Sequence, residues 1–351
     1  MSRPCNPILE ELPSGIAGQI VDGLDLISKI RVRKTCGNLR SAVDDSRLKF
    51  STIFLCFSTD KILLSFSQDD FPTKNQLMYS KHALGCQVKF EKKEMVIEGG
   101  DYLKCALADF KSLITSPKVV LKELVLANKP ADETKSREYL EAFKSALRST
   151  NHLLAVRDFH LISDCEQEDI VTLLSSLKPG ILEEIVLSKE MSSLERVNSL
   201  EHWKRAKRGC VEVENALIDD FLHFETMKLK TQIHFSTEEA KKVVEAALGH
   251  PGPFRSISIS PKSLDSTIPD YISSIADNCF PVFGPSRIIK VNTAAEPREY
   301  LKFIPIPDTS SCLAVRWGRN NEFHVERFGS EKKHVMDMEG NISAEYWLKS
   351  E

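Results

Sequence analysis

The sequence predicts an α/β protein with four successive parts: a helical N-terminal segment, a small β-meander, alternating strands and helices, and a terminal β-hairpin. Three observations support this fold class. Apolar residues recur at helical spacing near the N-terminus, strand-like runs occupy residues 49–99, and one apolar pattern returns five times between residues 121 and 259. The second half of the chain therefore carries the strongest indication of a particular fold, because the repeated pattern lies there.

Composition narrows the possible functions. The 351 residues are 42% hydrophobic and carry 47 Lys and Arg against 50 Asp and Glu, for a net charge of −3. This near balance argues against a strongly basic nucleic-acid binder. No run approaches the roughly 18 apolar residues of a membrane helix, and the nine cysteines lack zinc spacing and are typical of reduced thiols. We expect a soluble cytoplasmic or nuclear protein that needs no metal or cofactor.

The first helical segment lies within residues 12–45. Ile16, Ile20 and Leu24 fall on one face of a predicted helix that Ser14 would cap, and a second apolar stripe follows to Val43. A segment of this size cannot bury enough apolar surface to fold alone. Its apolar face therefore packs on the rest of the chain or on another protein. The simplest interpretation of the pattern alone is an ordinary amphipathic helical pair.

The apolar positions of this segment resemble an F-box without gaps. An F-box is a helical motif that docks on the Skp adaptor of cullin-based (SCF) ubiquitin ligases. The resemblance extends over residues 8–46, although Leu39 stands where many F-boxes carry Trp and Lys29 where they carry an apolar residue. It implies that the adaptor, and cullin through it, is bound by Leu12, Pro13, Ile16, Ile20, Leu24, Leu26, Ile30, Val32, Cys36 and Leu39.

Residues 47–100 are predicted to form a β-meander that connects the helical segment to the rest. Strand-like runs at 50–55 and 62–66 flank one turn, and runs at 87–90 and 95–97 flank a second. A helix is predicted from Tyr102 until Pro117 ends it. We expect two hairpins followed by this helix.

Five later segments share apolar residues at offsets 0, 3 and 5, and helical patterns separate them. They begin at Leu121, Val156, Leu182, Phe224 and Phe254. This alternation is typical of leucine-rich-repeat-like units, which bury their faces against neighbouring units. An ordinary doubly wound sheet is the alternative. Ser236 and Glu239 are predicted to cap the last of the helices.

Three runs within this part resemble the FTH domain, which follows the F-box in the nematode F-box A family and is read as its target-binding part. The runs occupy residues 102–109, 200–207 and 221–225. The resemblance implies a target-binding domain over residues 101–260. Residues 261–351 are then a continuation and cap, with a strand at 288–291 and a hairpin at 313–328 that covers the edge of the last repeat.

Two candidate sites remain from residue types alone. His223 and His234 could bind a metal or transfer protons, but without a carboxylate motif they are more typical of structural histidines. Trp203 lies beside Lys204 and Arg205 and could stack on bases, but its helical spacing favours a core anchor. We find no catalytic motif and expect no enzymatic activity.

The sequence therefore predicts a substrate-recognition subunit of an SCF ubiquitin ligase, with a protein target that the sequence does not identify. Two alternatives remain open. The chain could be a scaffold or sensor that docks through its F-box without delivering a target for degradation, or an enzyme of an unrecognised kind. Membrane association and nucleic-acid binding are not expected.

Overall fold

A computed structural model describes residues 12–24, 26–33, 35–45, 51–67, 75–130, 132–249, 254–274, 300–306, 311–317 and 322–328. The chain divides into two compact units. The first comprises residues 1–191 with 195–206, and the second comprises residues 192–194 with 207–351. Both units combine strands and helices, so the mixed α/β class predicted from the sequence is confirmed.

The first unit begins with a three-helix bundle, α1 (Ser14–Asp22), α2 (Leu26–Arg33) and α3 (Gly37–Asp45). Ser14 does not cap α1, because Pro13 occupies the N-cap position and Ser14 is the first helical residue. The carbonyl of Pro13 accepts hydrogen bonds from the amides of Ile16 and Ala17, at 2.9 and 3.0 Å. The turn is thus closed by the backbone, without a side-chain cap.

Five antiparallel strands follow as the predicted meander: β1 (Thr52–Ser58), β2 (Lys61–Ser67), β3 (Asn75–His82), β4 (Gly85–Phe90) and β5 (Lys93–Glu98). Both predicted hairpins are confirmed, since β1 pairs with β2 and β4 pairs with β5. The sequence prediction missed β3. Its residues alternate less clearly than the others, and only Tyr79 among them is buried.

The rest of the first unit alternates helices and strands: α4 (Tyr102–Ile114), β6 (Val120–Asn128), α5 (Glu133–Arg148), β7 (Ala155–Ser163), α6 (Gln167–Ser175), β8 (Glu184–Met191), α7 (Glu195–Asn198) and α8 (Glu201–Arg205). Strands β6, β7 and β8 are parallel, and β1 lies parallel to β6. The meander therefore shares a sheet with the alternating part, in the order β8-β7-β6-β1-β2-β3-β4-β5.

Helices α4 and α5 pack on one face of this sheet. Phe57 of β1 stacks on Tyr139 of α5 with ring centroids 5.2 Å apart, and Phe110 of α4 lies 5.1 Å from Phe143 of α5. All four rings are buried. This aromatic cluster is a central part of the core of the first unit.

The second unit contains β9 (Arg208–Val213), a 3₁₀ turn (Ile218–Phe221), β10 (Thr226–Thr231), β11 (His234–Phe235), α9 (Thr237–Gly249), β12 (Ser256–Ser260), β13 (Ser263–Leu264), α10 (Ile268–Ser274), β14 (Tyr300–Pro305), β15 (Cys312–Trp317) and β16 (Phe323–Phe328). Its main sheet has the order β14-β15-β16-β12-β10-β9, and β11 pairs with β13. The capping box of α9 is confirmed, because the Ser236 amide donates to Glu239 and the Glu239 amide donates to the Ser236 hydroxyl.

The predicted terminal hairpin is also confirmed. Strands β15 and β16 are antiparallel, and β16 pairs in turn with β12, the last strand that follows the repeated pattern. The hairpin thus covers the edge of that strand, as expected. The strand predicted at 288–291 lies outside the described residues.

The apolar residues of the repeated pattern lie opposite one another in neighbouring strands. Ile53 lies opposite Leu124, Leu124 opposite Phe159, and Phe159 opposite Ile185. In the second unit Met227 lies opposite Ile257 in the same way. Strand positions that match by offset therefore form continuous rows of buried side chains.

One strand of the pattern was missed from the sequence. The third interval, 42 residues from Leu182 to Phe224, contains β9. Ala206, just before this strand, and Gly209 and Val211 within it occupy offsets 0, 3 and 5. Gly209 and Val211 lie opposite Met227 and Leu229. An alanine and a glycine at two of the three positions hid this strand from a search for large apolar residues.

Candidate functional site

The three-helix bundle has a small core. It consists of Ala17, Val21, Cys36, Leu39 and Val43, with Val32 and Ala42 packed against it. The Asn38 side chain donates a 2.5 Å hydrogen bond to the carbonyl of Leu12, which joins α3 to the start of α1. This contact fixes the residues that precede α1 against the third helix.

The opposite side of α1 presents apolar side chains to solvent. Ile16 is 47% exposed and Ile20 is 44% exposed, one helical turn apart, and Pro13 at the start of the helix is also exposed. Large aliphatic side chains on adjacent turns of an otherwise small bundle are typical of a surface that another protein covers. We call Pro13, Ile16 and Ile20 the α1 patch.

The structure separates the ten predicted adaptor-binding residues into groups. Pro13, Ile16 and Ile20 are exposed, while Leu12, Leu24 and Val32 are partly exposed. Cys36 and Leu39 are buried in the bundle core, with 8% and 5% of their surface exposed. Leu26 and Ile30 lie in α2, and their side chains are outside the described part of the chain. A sequence pattern of this kind cannot distinguish the buried stripe from the exposed one.

A second surface lies on the sheet face opposite α4 and α5. Side chains along β6–β8 alternate between the core and this face, and those on the face are Glu123, Val125, Ala127, Asp158, His160, Ile162, Glu184, Val186 and Ser188. We call them the strand face. Of its apolar residues, Ile162 and Val186 are partly exposed, while Val125 and Ala127 are buried. The three carboxylates form one row across the strands. Such an arrangement can bind a protein segment with apolar and basic side chains.

His160 lies at the centre of the strand face, between two carboxylates. Its Nδ1 is 3.3 Å from Glu123 and its Nε2 is 3.6 Å from Glu184. Burial lowers the pKa of His160, but Glu184 and Glu123 outweigh this effect, and the pKa is raised above its usual value. The row of carboxylates therefore favours the protonated form of His160, which offsets part of their negative charge.

The two histidines considered as chemical candidates lie elsewhere. His234 Nδ1 is 3.0 Å from the Ser263 hydroxyl, which joins β11 to β13, and the ring of His223 contacts Phe224 with centroids 4.1 Å apart. Among the residues that the structure describes, no group of three or more His, Cys, Asp or Glu side chains could hold a metal ion. His223 and His234 are thus engaged in local packing and hydrogen bonding.

Trp203 is a core residue, as its spacing predicted. It is 1% exposed and lies near buried Val197 and Ala206, while Lys204 and Arg205 are exposed. The helical pattern at residues 194–207 predicts one helix around it, but two short helices, α7 and α8, lie there instead. Its neighbour His202 is also buried and lies 3.0 Å from the carbonyl of Leu177. Trp203 therefore presents no surface on which a base could stack.

None of the helices in the described ranges has both the length and the apolar character needed to cross a membrane.

Comparison with known proteins identifies two domains in the chain. An F-box domain model matches residues 9–51, and an FTH domain model matches residues 137–276. The chain therefore contains an F-box domain followed by an FTH domain. It is similar to F-box A protein 224 of Caenorhabditis elegans, with 27% identity over 236 residues, which are 63% of this chain and 58% of the relative. The chain thus spans less than two thirds of that relative's length. No solved structure matches it significantly.

Proposed function

We propose that this chain is the substrate-recognition subunit of a Skp–cullin–F-box ubiquitin ligase. The observation that carries the proposal is an F-box domain whose first helix leaves Ile16 and Ile20 exposed. In this role the F-box holds the Skp adaptor, and through it cullin, while the FTH domain holds a protein target. The chain performs no bond chemistry and needs no cofactor. It acts by proximity, because a held target meets the ubiquitin-transferring partners at a high effective concentration.

The adaptor is proposed to cover the α1 patch together with the partly exposed Leu12, Leu24 and Val32 and with Leu26 and Ile30 of α2. Full burial of an isoleucine is worth about 1.5–3 kcal/mol. Because Ile16 and Ile20 are each almost half exposed, docking would recover part of that amount for both. Cys36 and Leu39 are proposed to act from inside the bundle, by holding α3 against α1.

A pull-down of the Skp adaptor tests this docking surface. Ile16→Asp combined with Ile20→Asp should abolish adaptor binding, because docking would bury two unpaired charges. The matched control is Gln19→Asp, which adds a charge at an exposed position of the same helix and should retain binding. Circular dichroism should show an unchanged fold for both variants. Full adaptor binding by the double variant would refute the proposed surface.

The target is proposed to bind the strand face. We interpret β6–β8 and β9, β10 and β12 as leucine-rich-repeat-like units, whose helix-free strand surfaces are general binding platforms. The partly exposed Ile162 and Val186 of the strand face would supply apolar contact area, and its row of carboxylates would favour a basic target. The target-binding role rests on this surface and on the FTH domain match at residues 137–276.

Cellular turnover separates the ligase role from a scaffold role. A captured target should accumulate when the F-box carries Ile16→Asp with Ile20→Asp, and it should accumulate when Val186→Arg blocks the strand face while adaptor binding persists. Lys189→Arg, an exposed position on the same strand, is the control and should leave turnover unchanged. Capture of the target without any ubiquitin-dependent turnover would favour a non-degradative scaffold.

A further inference from the structure

The β5 strand is an exposed edge of the first unit. All six of its residues are exposed, including Met95 at 60%, Val96 at 38% and Ile97 at 37%. Of the strands that the structure describes, only β4 pairs with it, because β5 ends the strand order of the sheet. Exposed edges with apolar residues and no proline are the usual templates for pairing with another strand.

The pairing with β4 determines which backbone groups point outward. Phe90 lies opposite Lys93 across a two-residue turn, and Val88 lies opposite Met95. Such turns are closed by a hydrogen-bonded pair, and these pairs recur at every second residue of an antiparallel ladder. The Gly99 amide continues this series, because it donates to the Leu84 carbonyl at 2.8 Å. The amides and carbonyls of the intervening residues, Glu94, Val96 and Glu98, therefore point away from β4.

Symmetry limits how this edge could pair with another copy of itself. When a twofold axis relates two antiparallel strands, residues that lie directly opposite each other have their side chains on the same face of the sheet. The residue numbers of the two members of each pair must therefore differ by an even amount. Two registers then pair the most residues of β5 with those of the second copy. One centres the axis on Met95 and places Glu94 opposite Val96. The other centres it on Val96 and places Glu94 opposite Glu98.

Charge distinguishes the two registers. The register centred on Val96 brings the like charges of Glu94 and Glu98 together twice, which is destabilising. The register centred on Met95 instead brings Lys92, in the turn that precedes β5, beside Glu98 of the other copy at both ends of the pairing, and both of these side chains are exposed. We propose that β5 is a self-association surface that pairs antiparallel with β5 of a second copy, with Met95 on the twofold axis and Lys92 beside Glu98. This inference is independent of the ligase function.

The proposal is tested by sedimentation velocity on the full chain over a concentration series, with a reductant present. The wild type should form a reversible dimer, and a weak one, since a pair of six-residue strands gives a small interface. Val96→Pro should abolish the dimer without lowering the melting temperature, because the Val96 amide does not serve β4. Leu217→Ser removes an exposed apolar side chain at another site, where it is 72% exposed, and it should leave the dimer intact.

A charge exchange tests the register. Lys92→Glu alone and Glu98→Lys alone each replace two attractive pairs by two repulsive ones, so each should weaken the dimer by roughly two- to thirty-fold. The double variant restores opposite charges and should recover the wild-type dimer. A wild type that is monomeric throughout overturns the proposal, as does a dimer that survives Val96→Pro. Recovery that fails in the double variant overturns the register.

Discussion

Lys144 is a charged side chain that the fold buries. Its side chain is 7% exposed and forms ion pairs with Glu141 of the same helix and Asp169 of α6, which is itself 18% exposed. Burial lowers the pKa of Lys144, but the hydrogen bonds to Asp169 and Glu141 raise it by more, so the amine stays charged. The pair therefore fixes α5 against α6 at one point of the core.

Lys144→Met should destabilise the first unit by about 2–4 kcal/mol, because it leaves the Asp169 carboxylate buried without its cation. Urea denaturation measures the loss. Lys242→Met is the matched control. Lys242 forms a 2.7 Å ion pair with Asp219 between two half-exposed side chains, and its removal should leave the midpoint nearly unchanged. Equal effects of the two substitutions would contradict a structural role for burial at Lys144.

His160 should make stability depend on pH. Since its pKa is raised in the folded state, its contribution is complete below the ordinary histidine pKa of about 6.5 and is lost as the pH rises through the raised value. The melting temperature of the wild type, minus that of His160→Gln, should therefore fall between acid and alkaline pH. A difference that grows with pH would show that the imidazole is bound in its neutral form.

At the scale of elements, β9 shows how a repeat can lose its large residues. A Cβ atom added at Gly209 would lie 2.6 Å from the Met227 sulfur and 3.2 Å from the Phe224 ring. The neighbouring strand thus fills the space that an apolar side chain of β9 would otherwise take. The repeat segment that begins at Ala206 and the next one, at Phe224, start only 18 residues apart. A 3₁₀ turn replaces the usual helix between them.

Gly209→Ala should destabilise the second unit by about 1–3 kcal/mol, because the added methyl group forces Met227 and Phe224 to move. Gly249→Ala provides the control. Gly249 ends α9 with no atom within 4 Å of an added Cβ, so this substitution should be neutral or slightly stabilising. Thermal unfolding of both variants checks the comparison. A neutral Gly209→Ala would mean that the packing around β9 is loose.

The sequence predicted elements where large apolar residues are periodic, as in both hairpins of the meander, β6, β7 and α9. It failed where tertiary contacts replace local periodicity. β9 was missed because Met227 and Phe224 occupy the core space beside it. The helix predicted around Trp203 was too long because the helical conformation is interrupted between Asn198 and Glu201. At the proposed docking surface, the pattern identified the apolar residues but not which of them face solvent.

At the scale of the whole molecule, the meander is joined to the alternating strands. Thr52 to Phe57 of β1 pair in parallel with Glu123 to Asn128 of β6. Helix α4 also packs on this part, because the Tyr79 hydroxyl of β3 donates a 2.7 Å hydrogen bond to Asp109. Residues 47–100, expected as a connector, therefore supply five of the eight strands of this sheet of the first unit.

A fragment that begins at residue 51 lacks the three-helix bundle but retains all the strands that the structure describes. It should therefore fold cooperatively. A fragment that begins at residue 101 should be insoluble or unfold at a much lower temperature, since it exposes the edge of β6 and the apolar face of α4. Solubility and thermal melts distinguish the two. Equal stability of both fragments would mean that β1–β5 contribute little to the first unit.

The pairing of β1 with β6 also affects the order in which the chain matures during synthesis. Phe57 and its partner Asn128 are 71 residues apart, which corresponds to roughly 4–14 seconds of translation. The bundle leaves the ribosome before β6, so the nascent chain presents the helices proposed to bind the adaptor before the strand face exists. Under the proposed function, a product that terminates between these two residues would occupy the adaptor without recruiting any cargo, and would act as a dominant competitor of the intact protein.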